Sequence, residues 1–322
     1  MADKKVITGG RACSILYNFL ISNRFDIPSI VPANICETVP ATYEKAGLRT
    51  LWVDLSEADF GMDRNQIEDH IKSCKGKAIL HFNHTYGAVT KADDAYLEEL
   101  KRRYPSLVIV DDRCLALPDL APYASPADMV LYSTGPAKIV DIGKGGYAFL
   151  SGEYSYDDHS IAFSEKTEEA FEEYMKNARK QKTKLDRSVL SSDWLDLADS
   201  CGEDYFGVVK KELVNSALHR KEINTIYASM SFSMPLMYNS WRWNILVENK
   251  EECMNALFEN GLFCSGHYMG LCGGYFDDLK TPVCDDLYGH VINLFNDHHY
   301  DAGQAQKTVE ILEKTAVPYS IG

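Results

Sequence analysis

Three stretches of this chain carry residue types and spacings suited to chemistry on a carbonyl compound. The first runs from Asp128 to Leu150, where an apolar run, Met129–Tyr132, gives way to Ser133-Thr134-Gly135-Pro136. Lys138 follows, then Gly143-Lys144-Gly145-Gly146 and a second apolar run, Tyr147–Leu150. A lysine held at the bottom of a pocket between two strands loses hydration. Its amine pKa then falls and it becomes a usable nucleophile toward a carbonyl. The competing reading of Lys138 is a surface lysine on a hairpin. Lys144, inside the glycine-rich turn, is the more exposed of the two. The second stretch is the apolar strand Leu107–Val110, which ends in Asp111-Asp112. The third is Thr8-Gly9-Gly10-Arg11-Ala12, opening an apolar helical run from Cys13 to Ile21. Small residues at a helix start bare backbone N–H groups that can hold a phosphate.

Positioning these groups requires a scaffold, and its elements can be read from the pattern. Val31–Gly47 gives a loop, a helix and a glycine stop, then Thr50–Val53 a strand ending at Asp54. Asp63–Cys74 reads as a helix, Lys77–Phe82 as a strand ending in Asn83-His84-Thr85-Tyr86-Gly87, and Ala92–Tyr104 as a helix. Strands that are continuous apolar runs, alternating with helices, predict a mainly parallel α/β sheet covered on both faces. Ligands of such sheets gather at the carboxyl ends of the strands. Asp112, Ser133 and the His84 turn fall at strand ends, with Lys138 just beyond, so one pocket is expected. Beyond Leu150 the chain turns polar. Ser164–Arg187 reads as a charged helix with a solvated face, Glu203–Met230 as a long helix, and Ser231–Asn239 as a linker. Trp241–Val247 then reads as a strand, with helices at Glu251–Asn260 and Ala302–Thr315. The expectation is a large α/β domain over residues 1–235 and a small α+β domain over 236–322.

Composition narrows the function classes. The 322 residues carry a net charge of −14 with no long basic run, which argues against a nucleic-acid surface. No apolar stretch reaches membrane-spanning length, and MADKKVITGG lacks the apolar core of a signal peptide. The nine cysteines are scattered, odd in number and without a CxxC pair, as expected of reduced thiols in a cytoplasmic protein. Asp297-His298-His299 has no further ligand at helical spacing, so no metal site is expected.

Taken together, the three stretches supply what pyridoxal 5′-phosphate requires: an amine for its aldehyde, a carboxylate for its pyridine nitrogen and a cradle for its phosphate. Lys138 would form the Schiff base, Asp112 would keep the ring nitrogen protonated, and the Gly10–Ala12 helix start with Ser133 would hold the phosphate. The order along the chain (phosphate loop, aspartate, lysine) is that of fold-type I pyridoxal enzymes.

Over nearly its whole length the sequence resembles the DegT/StrS family of pyridoxal-phosphate-dependent nucleotide-sugar aminotransferases. The S-G-T-A phosphate loop falls on Gly9-Gly10-Arg11-Ala12, and the P-x-x-T…G segment with its V-D strand on Pro32–Gly47 and Trp52-Val53-Asp54. The H-x-Y-G turn is His84-Thr85-Tyr86-Gly87, and E-D-A-A-Q falls on Asp111-Asp112-Arg113-Cys114-Leu115. The lysine motif and its G-x-G-G are Ser133–Lys138 and Gly143–Gly146. Arg242 and the pair His267-Tyr268 stand where the family has its R-[FY] strand and H-Y-x-P-x-H segment, which implies substrate contacts.

There are departures as well. Arg11 replaces the phosphate-loop threonine and would meet phosphate as a charged donor. Cys36 replaces the ring-stacking aromatic, as a ring contact or as apolar packing, and Leu115 replaces a glutamine. The G-x-N-x-R segment has no match between Ser188 and Cys201, and Gly270 and Cys272 replace the proline and second histidine near the C-terminus. The chain begins at the phosphate loop, so the family's N-terminal arm is expected to be missing. The resemblance implies a homodimeric transferase of sugar biosynthesis. It would move an amino group from a donor such as glutamate to a keto-sugar, free or nucleotide-linked, or to a similar small ketone. The family branch that dehydrates sugars carries histidine in place of the lysine, and Lys138 sets this chain apart from it. The alternative reading is a divergent, non-catalytic relative that serves as a partner or regulator.

Overall fold

The continuous apolar runs become strands of one central sheet. The computed structural model describes residues 4–121, 125–181, 183–198, 201–268, 275–277 and 279–319. Its first half contains β1 (Lys4–Gly9), α1 (Ala12–Ser22), β2 (Ser29–Pro32), α2 (Thr38–Lys45), β3 (Thr50–Val53) and α3 (Arg64–Ser73). It continues with β4 (Ile79–Asn83), α4 (Lys91–Arg103), β5 (Val108–Asp112), β6 (Met129–Ser133) and β7 (Gly146–Ser151). Among the described residues seven strands pair in the order β1-β7-β6-β5-β4-β2-β3. All run parallel except β7, which is antiparallel to both neighbours. Alternate side chains fill two cores. Val31, Ile79, Val110 and Leu131 face α1 and α2, while Ile30, Leu80, Ile109 and Val130 face the layer to which α3 and α4 contribute Ile67, Ile71, Leu97 and Leu100.

The edge strand β1 has no counterpart in the sequence reading. It is short, begins with two lysines and finds its partner far along the chain, with Lys4 opposite Ser151 and Gly9 opposite Gly146. A short, lysine-bearing strand is how an exposed sheet edge is kept from pairing with other chains. Through that pairing β1 delivers the Gly9–Ala12 corner to the start of β7.

The second half contains α5 (Glu165–Gln181), α6 (Arg187–Leu190), α7 (Tyr205–Tyr227), β8 (Trp243–Leu246) and α8 (Lys250–Glu259). It ends with β9 (Cys264–Ser265), α9 (Pro282–His290), β10 (Val291–Leu294) and α10 (Ala302–Thr315). The smaller sheet is antiparallel in the order β8-β10-β9. Its core takes Ile245, Ile292 and Leu312, together with Ile223, Tyr227 and Met230 from the end of α7 and just beyond it. Gly270 and Cys272 lie outside the described residues.

Two expectations need correction. Helix α5 is not simply a solvated face: Phe171, Met175 and Ala178 are buried, and the Phe171 ring stacks on Trp194 at 4.4 Å. Its charges hide an apolar stripe at helical spacing. The Ser231–Asn239 linker is packed structure, since Met234, Tyr238 and Asn239 are buried and Asn239 donates to the Met234 carbonyl.

Asp54 ties the two sheets together. Its carboxylate accepts the backbone N–H groups of Val283 and Cys284 at 3.1 and 2.9 Å, capping α9 from another part of the chain. Gly146 makes the closest backbone approach near the strand-end corner. A Cβ there would sit 2.8 Å from the Ala12 nitrogen and 2.9 Å from the Tyr132 carbonyl oxygen. Gly146→Ala is therefore expected to lower unfolding stability by about 1–3 kcal/mol. Denaturant titration checks this against Gly202→Ala, where an added Cβ meets nothing within 4 Å.

Candidate active site

Strand alternation separates the two adjacent aspartates. Asp112 lies opposite Asn83 on the α1/α2 side of the sheet, whereas Asp111, opposite Phe82, points to the other side. Two positions before Asn83 on the same face, His81 reaches diagonally to Asp112, Nε2 to Oδ2 at 3.0 Å. The Tyr43 hydroxyl from α2 meets His81 Nδ1 at 3.1 Å, and the Cys114 amide donates to Asp112 Oδ1 at 2.9 Å. Burial alone would raise the Asp112 carboxyl, but His81 and the Cys114 amide outweigh it and hold the group at about 2. Asp112 is thus a fixed anion at a strand end.

Lys138 lies in the loop joining β6 to β7. The loop is anchored at Thr134, whose hydroxyl donates to the Lys144 carbonyl at 2.8 Å, and at Ala137, whose amide donates to Asp141 Oδ2 at 2.7 Å. Ala137 adopts a left-handed φ of 60°, turning the chain just before the lysine. The Lys138 carbonyl accepts from Arg220 at 3.3 Å, the Ile139 carbonyl accepts the Ser216 hydroxyl at 2.5 Å, and the Ala137 carbonyl accepts the Trp241 indole at 2.6 Å. The backbone is pinned from several sides, and the half-buried Lys138 amine has no hydrogen-bond or ion-pair partner among the described residues.

The α1 start completes the site. Gly145 donates its amide to the Gly10 carbonyl at 2.7 Å, docking the glycine turn against the loop before α1. Arg11 occupies the N-cap with extended backbone and offers no side-chain cap, so the first N–H groups of α1 face the space beyond it. The Arg11 side chain forms an ion pair with Glu168 of α5 at the rim.

One cavity of about 470 Å³ is lined by Gly10, Arg11, Ala12, Cys36, Asp112, Ser133, Lys138 and Tyr268. Cys36 and Cys114 line it too. Burial pushes both thiols up, and the nearby Lys138 charge opposes that rise. His267 lies in a neighbouring recess instead. Burial, with the surrounding charges of Arg242, Arg179, Lys138 and Lys250, lowers its imidazole to about 4. Arg242 is buried over the Phe295 ring at 3.4 Å and touches Ser265 at 3.4 Å, away from the cavity lining. Among the described residues, Asp297, His298 and His299 could hold a metal ion, but the two histidines are exposed and the Asp297 carboxylate already accepts from His299.

The sequence reading missed His81 and Tyr43, which brace Asp112, and Arg220 and Trp241, which pin the Lys138 loop. The spacing of His81 and Asn83 along one strand face was an available signal for the first. Nothing local marks Arg220, buried in the middle of a long polar helix.

Neither a family model nor a curated protein matches the sequence itself. Solved structures do match. A DegT DnrJ EryC1 StrS aminotransferase from Brucella abortus is 15% identical, with 96% of this chain and 85% of that one covered and a TM-score of 0.65. PseC of Helicobacter pylori, an aminotransferase of pseudoaminic acid biosynthesis, is 15% identical over 97% and 87% of the two chains, with a TM-score of 0.67. The fold is that of the fold-type I pyridoxal-phosphate-dependent transferases. Sugar chemistry varies on it. The Escherichia coli GDP-4-keto-6-deoxy-D-mannose-3-dehydratase, solved with hydrated pyridoxal phosphate, is 11% identical over 96% and 88% of the chains, with a TM-score of 0.64.

In this fold-type I chain, the face of the sheet opposite the cavity holds an ion network. His84 Nε2 meets Asp111 at 2.8 Å, Nδ1 meets Asp93 at 3.5 Å, and Arg113 joins Asp111 to Asp94. His84 is accordingly structural. Burial would lower its imidazole, but Asp111 and Asp93 overcome this and raise it to about 9. Protonated His84 therefore contributes stability in full below the ordinary histidine value, and the contribution is lost as pH rises through 9. Urea midpoints between pH 6 and pH 10 should show a loss on the order of 3 kcal/mol. His84→Gln should flatten that profile.

Proposed function

We propose that this chain is a pyridoxal 5′-phosphate-dependent aminotransferase. The observation that carries this is the convergence, in one cavity, of the Lys138 amine, unpartnered among the described residues, the low-pKa Asp112 carboxylate and the open start of α1. The residues fit the cofactor: an amine for its aldehyde, an anion for its ring nitrogen, and helix N–H groups with Ser133 for its phosphate. When bound, the cofactor condenses with an amine and draws electrons from the adjacent carbon into its ring.

The chain's own residues divide the work. The Ala12 and Cys13 amides, Ser133 and Arg11 would hold the phosphate, with the α1 dipole aiding. Asp112, kept ionised by His81 and the Cys114 amide, holds a proton on the ring nitrogen. Tyr43 keeps His81 aligned. Lys138 would hold the cofactor through its amine and, when free, would act as the base that moves a proton at the substrate carbon. Cys36 lines the same cavity and would pack its thiol against the ring where an aromatic side chain could stand. The amino donor is an amino acid such as glutamate, and the acceptor is a keto-sugar or a small ketone of similar size. A lysine amine in the cavity favours transfer over dehydration. The active form is a homodimer, which sedimentation tests.

The purified chain with added pyridoxal phosphate should develop a visible absorbance band that Lys138→Ala abolishes, and no band in the wild type would overturn the reading. Asp112→Asn should keep the band while slowing its conversion by glutamate by about a hundredfold or more. A second reading, a cofactor-binding partner without catalysis, draws on Cys36 and Leu115 in the cavity wall. A band inert to every amino donor would decide for it.

A further inference from the structure

Lys250 is the first residue of α8, a poor place for a cation, because a helix start favours negative charge. Its amine is drawn inward all the same. It donates to the Tyr288 carbonyl of α9, lies 3.9 Å over the Tyr288 ring and packs on Gly266, where an added Cβ would sit 2.6 Å from Nζ. Among the described residues no carboxylate bonds to it. Glu251 on its own helix and Cys264 of β9 favour the cation through space, yet burial outweighs both and lowers the amine to about 8.

The second observation is space. Lys250 lines a cavity of about 430 Å³, distinct from the one that holds Lys138, with Met254, Asn255, Phe258, Tyr288 and Gly289. Met254, Phe258 and the Tyr288 ring give it an apolar wall. An ammonium is poorly served beside such a wall, since it has one carbonyl and one ring in exchange for its hydration. An amide at the same nitrogen would keep an N–H for the Tyr288 carbonyl and carry no charge to desolvate. Its acyl chain would have apolar surface to cover.

We propose that Lys250 is an acyl-acceptor site, modified at Nζ by small activated acyl compounds (thioesters or acyl phosphates) whose chain the Met254–Phe258 cavity receives. In the transfer the amine nitrogen attacks the acyl carbon. The carbon–sulfur or carbon–oxygen bond breaks, thiolate or phosphate leaves, and the amine gives up a proton to water. The product removes one of the cations that act on His267. The site stands independently of the cofactor reading, because no residue of the Lys138 cavity takes part.

The test exposes the full chain to acetyl phosphate at about pH 7.5, with a small acetyl thioester in parallel, and follows each lysine by peptide mass spectrometry. Lys250 should acetylate about tenfold or more faster than the exposed Lys166 and Lys210. Lys4 is the internal control. Burial lowers it to about 8 as well, but its amine donates to the Ser125 and Ala127 carbonyls at 2.9 and 3.0 Å, so it should lag behind Lys250. The Lys250 rate should rise with pH and level off above about 8, where the amine is neutral, while the exposed lysines keep rising. Gly266→Ala displaces only the flexible end of Lys250, so the variant should fold and its Lys250 should react no faster than exposed lysines. Faster labelling by one reagent identifies the donor class, and either result supports the site. If with both reagents Lys250 reacts no faster than Lys166, Lys210 or Lys4, or keeps its rate in Gly266→Ala, the proposal is overturned.

Discussion

The corner where β7 begins depends on two residues without side chains. Gly145 donates its amide to Gly10, and Gly146 packs so closely on Ala12 and Tyr132 that no Cβ fits. That contact sets the α1 start beside the Lys138 loop, and the β1–β7 pairing carries the chain to it. If these two segments were held further apart, a phosphate at the helix start and an aldehyde at the lysine could not belong to one molecule. The glycines thus fix the distance between the α1 start and the Lys138 loop as well as making a turn.

A second constraint follows from the two-residue period of a strand. Asp111 and Asp112 are neighbours in sequence and face opposite layers. One is neutralised by His84 and Arg113 and stabilises the fold; the other is held as an anion by His81 and the Cys114 amide and faces the cavity. The His84 turn feeds both sides. Tyr86 reaches across to accept no proton but to donate one to the His267 carbonyl, at 2.6 Å. Gly87 abuts the Leu115 carbonyl at a spacing that only a glycine permits.

The two sheets are joined by polar contacts concentrated around the lysine loop. Arg220 in α7 bonds the Lys138 carbonyl, the Trp241 carbonyl and Asn296. Asp54 caps α9, and Trp241 holds the Ala137 carbonyl while stacking on Tyr268. Each is a buried group satisfied across the boundary, so displacement of either unit would strand a polar atom. Helix α5 closes the remaining side, with an apolar stripe on the core and charged residues at the rim.

Local signals accounted for much of this. Apolar runs long enough to be strands gave β3 to β7 within a residue or two, and the final helix, Ala302–Thr315, with its own bounds. Lys138, Asp112, Ser133 and the Gly10–Ala12 corner could be nominated from sequence because strand ends and glycine turns are marked by their own residues, whereas Cys36 could be nominated through the resemblance alone. Other features left no local trace. β1 and the β9–β10 pair are short strands defined by distant partners, and α5 reads as solvated because its buried stripe is only three residues wide. Arg242 and His267 could be placed near substrate by resemblance, yet the packing put one over Phe295 and the other in the adjoining recess. The sequence by itself determined which groups can do chemistry, since reactivity begins with residue type and local turn. Only the tertiary structure decided which of them meet and how they are charged. Distance, burial and hydrogen-bond partners belong to segments far apart in the chain.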